Sequence, residues 1–175
     1  MPRITKATFI VLVVTLLASA CAVFTHNAIA FLASMDVLPR VMLIGIVIFL
    51  LSLPYIGATG PGDPLYLNTR RFILSESNPY YCVGKAATGQ GGPHVGRDMI
   101  WPLGLIVQGL TSADDQEVRQ CLLTLQKTHA GTGFMHEAFN KDDPSKFTRK
   151  WFAWANTIFG ELILKSYKER PHVLN

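Results

Sequence analysis

The residues best suited to chemistry lie between positions 131 and 163, where polar and aromatic side chains are most densely mixed. This stretch holds a Gly131-Thr132-Gly133 turn, the pair His136-Glu137, a loop with Asp142, Asp143 and Pro144, and the indoles of Trp151 and Trp154. Carboxylates move protons and orient hydroxyls, while flat rings stack on the apolar face of a sugar, so the combination suits a carbohydrate site. Each residue type also has a plainer reading. Glutamates are mostly solvated, tryptophans mostly pack in cores, and Asp-Asp-Pro is a common turn sequence.

These residues must be held by the elements around them. From Asp98 onward the apolar period becomes helical, through Met99, Leu103, Ile106 and Leu110, with Pro102 tolerated in the first turn. Ser112 is expected to cap a second helix, with Asp115 at its third position and Asp114, Asp115 and Glu117 near its positive end. Val118, Leu122 and Leu125 would form its buried stripe, and Ala130-Gly131 would end it. A last helix is expected over about residues 151 to 168, with Trp154, Ile158 and Leu162 on one stripe and Phe152, Phe159 and Ile163 on another. Two apolar stripes imply burial on both sides. Upstream, residues 57 to 64 read as a loop, 65 to 74 as a short helix, and the glycine-rich 80 to 96 as a long irregular loop. No Gly-Lys-Ser/Thr follows a strand, so the glycines do not form a phosphate loop. Helices joined by turns and polar loops, with no strand series, predict an all-α fold.

A chain of 175 residues suits one domain. Net charge of +4 and a pI near 9.1, without a basic run, argue against nucleic acid as a partner. Of 16 basic and 12 acidic residues, only Arg3, Lys6, Arg40 and Asp36 fall in the first sixty. That leader opens with Arg3 and Lys6, continues through an apolar run and reaches Ala18-Ser19-Ala20, so residues 1 to 24 read as a signal peptide or an uncleaved signal anchor. Residues 25 to 56 contain a second apolar run, 41 to 53, between Arg40 and Pro54. It is short against the about 20 residues of a membrane helix, and reads as a marginal span or a buried strand or helix. The expected localisation is the secretory pathway, secreted or membrane-anchored. Cys21, Cys82 and Cys121 are too few and scattered for a metal cluster or a disulfide framework. A Cys82–Cys121 bridge stands as the alternative to two isolated thiols. Asp142 and Asp143 lack the pattern of a calcium loop, so neither metal nor other cofactor is expected.

Several strings occur together in order: Asn68-Thr69-Arg70-Arg71-Phe72-Ile73-Leu74-Ser75, Gly92-Pro93-His94-Val95-Gly96, Met99-Ile100-Trp101-Pro102 and the segment from Gly131 to Ile163. Over roughly residues 51 to 171 the chain resembles the C-terminal part of glycoside hydrolase family 125, the metal-independent exo-α-1,6-mannosidases. The resemblance implies part of an (α/α)6 barrel over residues 57 to 175, an α-mannoside oligosaccharide as partner, and an inverting mechanism. Such enzymes use two carboxyl groups about 6.5 to 9.5 Å apart, one acid and one base. Through Gly133-Phe134-Met135-His136-Glu137 the resemblance carries the base onto Glu137, whose alternative is a carboxylate solvated or paired with Arg149 or Lys141. It makes His94, Trp101 and His136 candidate sugar contacts, against a surface histidine, a core tryptophan and a packed histidine.

The general acid of the family lies upstream of anything matched, so the resemblance implies descent from an enzyme with little activity in this chain. A barrel piece would also expose apolar surface. Family members carry Met-Asp-Asp-Ala-Asn-Val-Pro shortly before Ser-Leu-Leu-Ser-Leu-Pro-Tyr. Here Met35-Asp36 is separated from Leu51-Ser52-Leu53-Pro54-Tyr55 by unrelated apolar residues. Asp36 is then a candidate hydroxyl-binding carboxylate, and residues 37 to 50 read as an insertion such as a translated intron. The competing reading is a membrane-anchored, non-catalytic remnant or an artefact of gene prediction.

Overall fold

The computed structural model describes residues 50–175. Asp36, the leader, and the apolar segment up to residue 49 lie outside the described residues, and so do the expectations placed on them. Among the described residues no helix is long and apolar enough to cross a membrane.

Residues 50–52 are helical, and Leu51 is fully buried. Helix α1 (Pro64–Ile73) starts where proline supplies a helix-compatible φ and Asp63 accepts a hydrogen bond from the Tyr66 amide at 3.0 Å. It buries Tyr66 and Ile73, and the Tyr66 hydroxyl donates to the Leu51 carbonyl at 3.1 Å. Helix α2 (Pro102–Thr111) is almost wholly buried, which its apolar composition demands. It packs against both α3 (Asp115–Thr128) and α4 (Ala153–Glu169). At Gly109 the three helices meet: a Cβ there would sit 3.4 Å from side-chain atoms of both Cys121 on α3 and Leu162 on α4. The core of this layer joins Ile100, Leu105, Ile106, Leu110, Leu125, Phe139 and Leu162.

The all-α expectation is corrected by five short strands. β1 (Tyr81–Val83) and β2 (Thr88–Gln90) form an antiparallel hairpin within the stretch expected to be irregular. β3 (Met99–Ile100), β4 (Ala138–Asn140) and β5 (Phe147–Thr148) form an antiparallel sheet in that order. Met99 thus pairs with Asn140 and Ile100 with Phe139, instead of starting α2. Pro102 explains the boundary: it disfavours helical backbone at Trp101 and occupies the first helical position itself.

Two further expectations shift. The cap of α3 is Asp114, which accepts from the Gln116 amide at 2.9 Å, and not Ser112. Ser112 is otherwise committed, since its backbone closes α2 and its hydroxyl donates to the Glu117 carboxylate. Helix α4 buries one face only, through Ala155, Leu162 and Ser166. Trp154 is 70% exposed, and Trp151, Leu164 and Tyr167 also face solvent. Ala130 and Gly131, both with positive φ, follow the end of α3 as anticipated. Cys82 and Cys121 are buried free thiols; burial, with the Glu117 charge, pushes Cys121 up to about 12.

A polar network locks the three helices together. Arg70 on α1 donates to Glu117 on α3 at 2.7 Å and to Thr111 on α2 at 2.8 Å, while Gln108 donates to Glu117 at 2.8 Å. Burial opposes ionisation of Glu117, but the donors Ser112 and Gln108 and the Arg70 charge outweigh it and hold its carboxyl below the usual range. Because the folded state binds that proton less readily than the unfolded chain, the linkage stabilises above the ordinary glutamate value of about 4.3 and is lost as pH falls through the lower folded value. Glu117→Gln is therefore expected to flatten the acid side of a pH–Tm curve. An unchanged acid limb in thermal melts would refute the linkage.

Candidate active site

Glu137 lies in the bend that leads into β4, so it sits at the end of a small sheet and not among paired helices as an all-α reading required. Its backbone is fixed first: the Glu137 amide donates to the Thr148 carbonyl at 3.2 Å. The preceding Met135 is clamped from both sides by Asn156 on α4, which accepts from the Met135 amide at 3.0 Å and donates to its carbonyl at 2.8 Å. Sequence reasoning passed over Asn156. Its signal is an amide side chain in the first turns of an otherwise apolar helix, where a polar group needs a specific partner.

The Glu137 side chain is 15% exposed and stands between the Arg149 guanidinium and the His94 imidazole. Arg149 Nε approaches Oε2 at 3.2 Å, and His94 Nε2 lies 3.7 Å from Oε1, beyond direct hydrogen-bond reach. The Arg149 partner was one of the two plain readings; the other, Lys141, bonds Asp98 at 2.9 Å instead. His94 in turn packs on Trp101, with ring centres 4.9 Å apart.

The structure therefore brings His94, Trp101, His136 and Glu137 together, but in unequal roles. Trp101 is 7% exposed and caps the start of α2, and a Cβ at Gly92 would lie 2.6 Å from its ring. Glycine at 92 is what lets the loop lie flat on the indole. His136 is 1% exposed, stacked on Phe147 at 3.8 Å with parallel planes. Its Nδ1 bonds the Lys150 carbonyl at 2.9 Å, so Nδ1 carries a proton, because a carbonyl only accepts. Neither ring presents an open face among the described residues. As placed, His136 is a strut for the Glu137 segment, and of the three candidate contacts His94 is the exposed one.

Four buried polar atoms on these elements lack a hydrogen-bond partner: Trp101 Nε1, His136 Nε2, Gln90 Oε1 and Thr148 Oγ1. Two clefts of the described residues, one between the β1–β2 turn and α3 and one beside the end of α4, do not include Glu137. No cluster of three potential metal ligands occurs among the described residues.

This fold is shared with a solved metal-independent alpha mannosidase of Streptococcus pneumoniae, a non-productive complex with alpha-1,6-mannobiose. The match has a TM-score of 0.66 and 45% identity, over 69% of this chain and 28% of that one. At this identity the shared fold makes the chain a relative of glycoside hydrolases. The Meiotically up-regulated gene 157 protein of Schizosaccharomyces pombe is 52% identical over 126 residues, 71% of this chain and 25% of that protein. The chain belongs to the metal-independent alpha-mannosidase family, GH125, which it matches over residues 47–164. It spans about a quarter of the length of these two relatives.

Proposed function

We propose that the chain carries the water-activating side of an inverting exo-α-1,6-mannosidase site, built on the C-terminal part of an (α/α)6 barrel. Glu137 is the general base and His94 a sugar contact. The observation that carries the reading is the carboxylate of Glu137, recessed yet accessible, with Oε2 bonded by Arg149 and Oε1 3.7 Å from His94 Nε2, outside hydrogen-bond reach and open to water, as a base that accepts a proton from water requires. Glu137 takes a proton from water, the water oxygen bonds the anomeric carbon, and the glycosidic bond breaks with its electron pair on the leaving oxygen. That oxygen needs a proton, which the family resemblance assigns to an acid upstream of the matched residues. The alkyl leaving group of a disaccharide is thus disfavoured here, while fluoride needs no proton.

The test compares mannose release from α-1,6-mannobiose with fluoride release from α-mannosyl fluoride by the 175-residue chain. Fluoride release is expected to exceed disaccharide cleavage, relative to a complete family enzyme, by about the 10²- to 10⁴-fold that proton delivery contributes. The first-formed sugar should be the β-anomer by proton NMR. Cleavage of the disaccharide at a complete enzyme's rate, or α-mannose formed first, would overturn the reading.

A further inference from the structure

A left-handed backbone is costly in a residue with a side chain and persists only where its surroundings impose it. Arg149, in the link between β5 and α4, has φ of 44°. The cause is visible on either side of it. The carbonyl before it, Thr148, accepts from the Glu137 amide at 3.2 Å, and the carbonyl after it, Lys150, is bonded by His136 Nδ1 at 2.9 Å. Both carbonyls flanking Arg149 serve the same two neighbouring residues, and the backbone between them kinks. The Arg149 side chain meets Glu137 Oε2 at 3.2 Å through Nε, with its guanidinium carbon 5.8 Å from the centre of the Phe152 ring. Glu137 Oε1 has no such partner; His94 stands off at 3.7 Å.

We propose that Arg149 is the positioning residue of Glu137: it binds Oε2, fixes the plane of the carboxylate, and leaves Oε1 as the oxygen that receives the proton. This rests on the reading of Glu137 as the base. The Arg149 side chain is 66% exposed, so the pair contributes little to stability and its effect lies in orientation. A lysine at 149 keeps the charge but loses the flat, directional donor that stacks on Phe152, so it does not replace arginine.

The experiment measures two quantities in the intact chain and in Arg149→Ala, Arg149→Lys, Arg149→Gly and Glu137→Gln. One is the rate at which carbodiimide and glycine ethyl ester modify Glu137, followed by peptide mass spectrometry. The other is fluoride release from α-mannosyl fluoride. Arg149→Ala is expected to raise Glu137 modification up to about five-fold, the factor implied by an ion pair of this exposure. It should lower fluoride release about ten-fold or more through misorientation. Added guanidinium at constant ionic strength should reverse both changes, which a purely structural residue would not show. Arg149→Gly should match Arg149→Ala while melting no lower than the parent, because relief of the kink offsets the lost pair.

Modification of Glu137 at the parent rate in Arg149→Ala overturns the proposal, whatever the turnover. Raised modification with undiminished fluoride release overturns it as well. Fluoride release that survives Glu137→Gln removes the base assignment instead, while the modification ratio still reports the pairing. In a chain that releases no fluoride, the modification ratio and its reversal by guanidinium decide alone.

Discussion

Glu137→Gln is expected to remove the turnover of α-mannosyl fluoride, by about the 10²- to 10⁴-fold associated with a positioned base. The substitution keeps the shape of the side chain and its ability to accept from Arg149, but the amide cannot take a proton from water. Folding should change little, because the backbone of the segment is held by Thr148, Lys150 and Asn156 and not by the carboxylate. The measurement is the initial rate of fluoride release, with thermal melts as the control for folding. A variant that melts like the parent and releases fluoride at the parent rate would show that the carboxylate is only a surface ion pair. A variant that loses both rate and melting temperature would place Glu137 in the architecture instead. Azide offers a further check: a small anion that attacks the anomeric carbon without deprotonation should restore turnover in Glu137→Gln and leave the parent rate nearly unchanged.

Phe139→Ala carries the largest expected effect on stability, about 3–5 kcal/mol. Phe139 is completely buried at the centre of the sheet, with Ile100 as its partner on β3 and Phe147 on β5. Its removal leaves a cavity bounded by paired backbone on two sides, and such walls collapse poorly. Phe134, only five residues earlier but 42% exposed, is the comparison: Phe134→Ala should cost no more than about 0.5 kcal/mol, as surface substitutions do. Urea unfolding of the two variants checks the contrast. Equal midpoints would mean that the sheet is not part of the cooperative core. Because β4 begins directly after Glu137, the loss in Phe139→Ala should also raise carbodiimide modification of Glu137, whereas Phe134→Ala should not.

The helices were legible because their signals are local. A period near 3.6, a proline at the first position, and a small residue after the last turn lie within a few residues of one another, so α2, α3 and α4 can be read to within a few positions. The choice of Asp114 over Ser112 as cap was not local. It depends on Glu117, one turn into the next helix and held by Arg70 from α1, which claims the serine hydroxyl. On α4 the expected burial fails at Trp154 of the first stripe, while Phe152 and Phe159 of the second pack partly buried against the core: periodicity identifies which residues share a face, but only the packed neighbours decide whether each is covered. In this chain Trp154 and Tyr167 remain in solvent.

The site divides in the same way. By itself the sequence determined the family and much of the helical frame, since these reside in strings of adjacent residues, and it singled out Glu137 as the carboxylate to test. The tertiary structure alone decided what surrounds that carboxylate. Strands of two or three residues have no period to read, yet β3, β4 and β5 join segments separated by two helices and so bring Trp101 and His94 to His136 and Glu137. The same pairing buries two of the rings that looked available to a sugar, and aligns the carbonyls that bend the chain at Arg149. Local interactions specify an element, whereas the partner of a buried or charged side chain is fixed only when distant backbone is paired, because that pairing sets which groups lose water together.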